Sequence, residues 1–163
     1  MTLLLDPESS ERFTALRRAH FPPASNHLDA HVTLFHALPA AHLAWVQTDL
    51  ATSARRAPFS LEVHRLRLLG RGVAFDLRSD ELACLRRQLA AQWSDVLTRQ
   101  DRAPHIPHIT AQNKVAPEAA RRLYEELSST FAPVRVTACG LGLWRYLSGP
   151  WEAVRSYPFR AGQ

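Results

Sequence analysis

The chain has 163 residues, of which 46% are hydrophobic and 21% charged, a composition that fits one globular domain and excludes an intrinsically disordered chain. Its net charge of +5 comes almost wholly from arginine, since Lys114 is the only lysine. Arginine suits phosphate groups, but an arginine-rich codon usage would give the same bias, so the charge only permits an anionic ligand. Cys84 and Cys139 fit neither a metal-ligand spacing nor a disulfide framework. With no apolar run near the ~20 residues of a membrane span, we expect a cytoplasmic protein without membrane association.

The first half of the chain alternates between strand-like and helix-like patterns. A three-residue glycine turn, Gly70-Arg71-Gly72, joins two of its strands into a hairpin. The predicted elements in chain order are a strand over 2–5, a helix over 7–20, a proline-bearing loop over 21–30, a strand over 31–38, a helix over 40–56, and hairpin strands over 59–69 and 73–77.

The second half repeats this order from the helix over 7–20 onward. Asp80 is placed to cap a helix to about Thr98, and Pro117 suits the first helical position of the next one. A strand runs over 108–115 between those helices. A second hairpin has strands over 134–147 and 151–159, around Ser148-Gly149-Pro150.

Equal spacing supports an internal duplication. A separation of 77 residues recurs from His31 to His108, from Ala40 to Pro117, and from Gly72 to Gly149. The segments 7–79 and 80–159 are therefore approximate pseudo-repeats within one domain spanning 1–163. Chance agreement of element order is the alternative, because the two halves share few identical residues.

Each half carries a His-x-Thr motif on a predicted strand, His31-Val32-Thr33 and His108-Ile109-Thr110. Side chains alternate along a strand, so the histidine and threonine of each motif share one face, opposite the apolar residue between them. If the two strands lie side by side about a local two-fold axis, both polar pairs border one cleft.

Two imidazoles at such a cleft suit cleavage of a phosphodiester. One takes a proton from the attacking oxygen and the other gives a proton to the leaving oxygen, because histidine titrates near neutral pH. Hydroxyl groups from Thr33 and Thr110 can donate hydrogen bonds to the non-bridging oxygens, where charge accumulates in the transition state. The set needs no metal.

These motifs resemble the 2H phosphoesterase family, which includes the bacterial 2′-5′ RNA ligases and RNA 2′,3′-cyclic phosphodiesterases. The resemblance implies an α+β fold with two pseudo-symmetric lobes, whose antiparallel sheets line a central groove with helices outside. It implies that His31 and His108 are catalytic and that Thr33 and Thr110 bind phosphate. It also implies a nucleotide or short RNA with a cyclic phosphate or 2′-5′ linkage as partner, and no cofactor. The Ala111-Gln112-Asn113-Lys114 segment departs from many RNA-processing members.

Further candidates for substrate binding share strand parity with a motif, lie beside one, or are aromatic. Each of these also has an ordinary packing or surface role as its alternative. They are Phe35, His105, Lys114, Trp144 and Tyr146, with Arg65, Arg67 and Arg71 as candidates for contacting a phosphate chain. The helical arginine pairs, such as Arg17-Arg18 and Arg86-Arg87, are predicted to be solvated.

Two rival functions stay open. A non-catalytic nucleotide- or RNA-binding module would keep the same groove without chemistry. A metal-dependent hydrolase would use His27, His31 and His36, but His36 is predicted on the opposite strand face from His31 and no acidic ligand lies nearby. We expect no metal site, and a monomer.

Overall fold

The computed structural model describes residues 1–147 and 151–161. The expected turn at Ser148-Gly149-Pro150 lies outside the described residues. The strands are β1 Thr2–Leu5, β2 Val32–Thr33, β3 Phe59–Leu68, β4 Val73–Arg78, β5 His108–Gln112, β6 Val134–Tyr146 and β7 Trp151–Pro158. The helices are α1 Pro7–His20, α2 Leu43–Ser53, α3 Asp80–Gln92, α4 Arg99–Arg102 and α5 Pro117–Thr130, with short 3-10 turns at Pro23–Ser25 and Ala40–His42.

All seven strands of the described residues belong to one antiparallel sheet in the order β1-β2-β5-β4-β3-β6-β7. β1 pairs with β2 on one side and with β6 on the other, so six strands form a closed ring and β7 extends from β6. Two antiparallel sheets, one in each lobe, were expected from the family resemblance, and the structure has one. The physical reason is that strands of the two halves pair with each other, β2 and β4 with β5, and β3 with β6. β1 then closes the ring by pairing with β2 and β6.

The hydrophobic core lies between one face of the sheet and the helices. Phe13 of α1 packs edge-on against Phe75 of β4, with the ring centroids 5.2 Å apart. Local signals set the helix starts: the Asp6 carboxylate accepts the Ser9 N–H at 2.9 Å, and Pro7 and Pro117 occupy first-turn positions. No helix among residues 1–147 and 151–161 is long and apolar enough to cross a bilayer.

Two elements are shorter than their patterns predict. The strand expected over 31–38 is only Val32–Thr33, because the next backbone N–H groups turn away: those of Leu34 and Phe35 donate to Met1 O. The helix expected over 80–98 ends at Gln92. Trp93 after it is fully buried, and the hydroxyl of Thr98 starts a separate short helix.

Candidate active site

The two His-x-Thr motifs lie on neighbouring antiparallel strands. Val32 of β2 is the register partner of Ile109 of β5, and both side chains point into the core, 0% and 1% exposed. Continuing that register by one residue each way places His31 opposite Thr110, and Thr33 opposite His108. An antiparallel pair centred on Val32 and Ile109 has a local two-fold axis that exchanges the motifs. The four polar side chains therefore share one sheet face.

The spacing of this face suits a phosphate group. Directly opposed residues in an antiparallel pair have Cβ atoms about 4.5–5.5 Å apart, and diagonal neighbours are about 7–8 Å apart. His31 and His108 stand in the diagonal relation, with a threonine directly opposite each. A tetrahedral anion between the imidazoles would meet both hydroxyls.

Both imidazoles are oriented by the same local hydrogen bond. His31 Nδ1 lies 2.8 Å from the carbonyl oxygen of Asp29, and His108 Nδ1 lies 2.8 Å from that of Ile106. A carbonyl only accepts, so Nδ1 carries the proton that it donates, and each neutral ring keeps a lone pair on Nε2. The two rings therefore present the same nitrogen for proton transfer.

The pKa of His31 is lowered from its ordinary value. Burial is the largest cause; the hydrogen bond to the Asp29 carbonyl opposes it, and the positive charges of Arg17 and His108 lower the pKa further. Desolvation and nearby cations both disfavour an imidazolium. His31 is therefore neutral near pH 7 and able to accept a proton.

Arg17 of α1 holds the strand pair together from beneath. Its side chain is 7% exposed, and Nε donates to Asn26 Oδ1 at 2.8 Å and to Leu28 O at 3.0 Å. Nη1 donates to Thr110 O at 2.9 Å. One guanidinium thus ties the loop before His31 to the second motif, which corrects the expectation that Arg17 is solvated.

Asp101 and Arg86 hold the chain just after the first motif. The buried carboxylate of Asp101 accepts the N–H groups of His36 at 2.7 Å and Ala37 at 3.0 Å. Burial alone would raise the pKa of Asp101, but these bonds outweigh it and lower the pKa. Arg86 donates to Leu34 O at 3.2 Å and Asp101 O at 2.7 Å, so it too is not the solvated arginine that the sequence predicts.

A cavity of about 580 Å³ opens beside the first motif. His31 and Thr33 form its polar end, whereas His108 and Thr110 do not line it. Its remaining wall is mostly apolar and includes Trp144 and Tyr146. Trp144 is fixed by a hydrogen bond from Nε1 to Thr2 Oγ1 at 2.9 Å, and Tyr146 is 61% exposed. Both aromatic candidates from the last hairpin thus reach this cavity.

The other candidates fall in different places. His105 lies beside the site, near the backbone of Thr33, and burial with the charge of Arg86 lowers its pKa to about 4. Phe35 is 0% exposed, edge-on against Trp93 with centroids 5.1 Å apart. The expectation that Phe35 stacks a base is corrected, because its ring is buried in the core.

The expectation that Lys114 shares the face of His108 is also corrected. β5 ends at Gln112, and Lys114 follows in a left-handed turn with φ of 63°, so strand parity no longer applies to it. Its exposed side chain therefore does not share the face of His108 by register.

Among the described residues, no group of three or more His, Cys, Asp or Glu side chains is placed to hold a metal ion. The His36 imidazole is engaged instead, with Nδ1 3.1 Å from Asp101 Oδ1. His36 and His31 therefore do not belong to a common group of metal ligands.

A family model for the 2′-5′ RNA ligase superfamily matches residues 5–150. The chain belongs to that superfamily. The protein TT0787 of Thermus thermophilus has a similar structure, with a TM-score of 0.68 at 18% identity, covering 99% of this chain and 97% of that one. No curated protein sequence matches.

Escherichia coli LigT has the same fold in several crystal structures. Its complex with NADP+ has a TM-score of 0.57 at 20% identity, and its complex with 3′-AMP has a TM-score of 0.53 at 20% identity. Each covers 97% of this chain and 95% of LigT. Like the TT0787 match, these likenesses establish a shared fold.

Sequence reasoning found the motif residues but missed the side chains that support them. One signal for Arg17 was present, because it lies four residues after Phe13 and so shares the buried helix face. Asp101 had no comparable signal, since its partners are 64 and 65 residues away.

Proposed function

We propose that this protein is a metal-independent phosphodiesterase that opens a 2′,3′-cyclic phosphate or a 2′-5′ linkage in a nucleotide or RNA. The observation that supports the proposal is the pairing of Val32 with Ile109, because that register brings two histidines and two threonines onto one face of the sheet. Superfamily membership supports the same chemistry.

In the proposed reaction, neutral His31 removes a proton from water through Nε2. The water oxygen forms a new bond to phosphorus, and the bond from phosphorus to the 2′ or 3′ oxygen breaks. Protonated His108 gives its Nε2 proton to that departing oxygen. His31 receives the role of base because burial lowers its pKa, so it is neutral where the reaction runs. The roles exchange in the reverse direction.

Thr33 and Thr110 bind the non-bridging oxygens in this proposal. Each hydroxyl lies opposite the histidine of the other motif by register, so the phosphate receives one donor from each strand. Donors placed in advance around developing charge stabilise the transition state without reorganising. The alternation of histidine and threonine around the phosphate is what the local two-fold axis provides.

The apolar cavity receives the nucleoside in this proposal. It begins at His31 and Thr33 and has the indole of Trp144 and the ring of Tyr146 in its wall, and aromatic side chains stack on nucleobases without sequence preference. The crystal structures of LigT with 3′-AMP and ATP support a nucleotide as the class of ligand.

The test is steady-state hydrolysis of nucleoside 2′,3′-cyclic phosphates by purified protein in EDTA. We expect turnover, and we expect His31→Ala and His108→Ala each to lower kcat/KM by about 10²–10⁴-fold, the usual contribution of a positioned proton transfer. His42→Ala is the matched control, because His42 is exposed and its ring packs edge-on against Trp45. The acid limb of the pH profile should lie below about pH 6.5, the ordinary histidine pKa.

Three outcomes would contradict the proposal. Activity that EDTA removes and zinc restores would indicate a metal-dependent hydrolase. Nucleotide binding without turnover of cyclic phosphates or 2′-5′ linkages would indicate a binding module. Equal activity of the three histidine variants would place the chemistry elsewhere.

A further inference from the structure

Two arginines on β3 face the same side of the sheet as the His-x-Thr motifs. On β4, Asp76 is the register partner of His108, and Ala74 that of Thr110. On β3, Arg65 is the partner of Asp76, and Arg67 that of Ala74. Neighbouring strands lie about 4.8 Å apart, so the backbone of this arginine pair is about 10 Å from β5. The polar face of the site thus continues beyond His108.

A buried carboxylate holds both guanidinium groups. Asp76 is 0% exposed and accepts Arg65 Nε at 2.9 Å and Arg67 Nε at 2.7 Å. Two cations and one anion leave a net charge of +1. Because each arginine uses Nε for this contact, the Nη groups are left for another partner, and their planes are fixed in advance.

Those remaining donors are not all satisfied. Arg67 Nη2 is buried and has no hydrogen-bond partner among the described residues, which is costly for a charged donor. The Arg65 side chain is 55% exposed and open to an incoming group. A structural ion pair alone would need neither the second arginine nor a buried donor left without a partner.

We infer that Arg65 and Arg67, held by Asp76, form a second anion subsite that binds a phosphate of the substrate other than the one that reacts. The inference rests on the proposed function, since it takes the reacting phosphate to lie between His31 and His108. The substrate it favours is a nucleotide with at least two phosphates. The second phosphate is either a 5′-phosphate or the next phosphodiester of an RNA chain.

The kinetic test compares three substrates of the unmodified protein in EDTA. They are adenosine 2′,3′-cyclic phosphate, the same compound with a 5′-phosphate, and the dinucleotide ApA ending in a cyclic phosphate. We expect kcat/KM to be about 10- to 100-fold higher for one or both of the two-phosphate substrates, the range for a charge-assisted hydrogen bond or two. The substrate that has the higher kcat/KM identifies the source of the second phosphate.

Variants then assign the preference to the arginines. Arg67→Met, and separately Arg65→Met, should bring the ratio of kcat/KM between substrates close to one. Arg135→Met is the matched control, because Arg135 is an exposed strand arginine on β6, and its loss changes the net charge equally while keeping the wild-type ratio. Thermal unfolding confirms that each variant is folded.

A binding measurement separates this inference from the proposed function. Calorimetry should give tighter binding of adenosine 3′,5′-bisphosphate than of 3′-AMP, and Arg67→Met should abolish the difference. A protein that turns over neither the cyclic phosphates nor a 2′-5′-linked dinucleotide refutes the proposed function, and the calorimetric comparison still decides the subsite. Equal binding of the two ligands by the unmodified protein, or a preference that survives both arginine variants, overturns the inference.

Discussion

Replacing Arg17 by methionine tests whether one buried guanidinium organises the site. Methionine keeps much of the apolar stem, but it removes the guanidinium that lies over the Phe21 ring. It also removes the donors to Asn26 Oδ1, Leu28 O and Thr110 O. A hydrogen bond involving a charged group contributes about 1.5–3 kcal/mol, and the losses at one group are not additive. We expect Arg17→Met to lower the free energy of unfolding by about 3 kcal/mol.

Arg18→Met provides the matched control one residue away on the same helix. Arg18 pairs with Asp29, and both side chains are more than two-thirds exposed, at 69% and 68%, so the pair should contribute about 0–1 kcal/mol. In thermal unfolding, about 3 kcal/mol corresponds to a Tm lower by about 6–12 °C for a chain of this size. Equal Tm values for the two variants would refute the reasoning.

The same variant has a consequence for the chemistry. The charge of Arg17 contributes to the lowered pKa of His31, so its removal should raise that pKa. His31 must be neutral to act as a base, so the acid limb of the kcat/KM profile should move to higher pH in Arg17→Met and stay in place in Arg18→Met. A limb that does not move would mean that His31 is not the titrating base.

Two further outcomes follow from the packing and the charges. In urea unfolding, Gly72→Ala should destabilise the protein more than Gly70→Ala. A Cβ at position 72 would lie 1.9 Å from Gln112 O, whereas position 70 has open space, and alanine there costs only about 1–2 kcal/mol for the left-handed backbone. Equal losses of stability in the two variants would contradict this. The pKa of His105, lowered to about 4, means that the folded state binds fewer protons than the unfolded state between about pH 6.5 and 4, so stability falls as the pH falls through that window. His105→Gln should reduce the loss of stability between pH 7 and pH 5, and an unchanged difference would show that other groups carry it.

The closed ring of strands could not be predicted from local sequence patterns. Each strand's period of two shows which residues share a face, but it does not reveal the partner strand. β1 has only four residues and lies far in sequence from β6, with Thr2 paired to Gly142. Long-range pairings of this kind depend on how the halves pack, so the sequence did not predict that the strands of both halves form one sheet.

Local patterns also predict the placement of some side chains but not of others. Phe35 shares the strand parity of His31 in the sequence, yet the chain leaves the strand after Thr33 and buries the ring against Trp93. Parity predicts a face only as long as the strand continues. Where the backbone turns, hydrogen bonds from distant groups such as Asp101 decide the direction of each side chain.

The sequence by itself determined the two His-x-Thr motifs, the face that each histidine shares with its threonine, and most helix starts, because strand alternation and helix capping are local. Only the tertiary structure decided that Val32 lies opposite Ile109, that Arg17 lies buried beneath both motifs, and that Asp76 holds two arginines beside His108. Those arrangements join residues from distant parts of the chain, and their positions follow from packing that no short segment encodes.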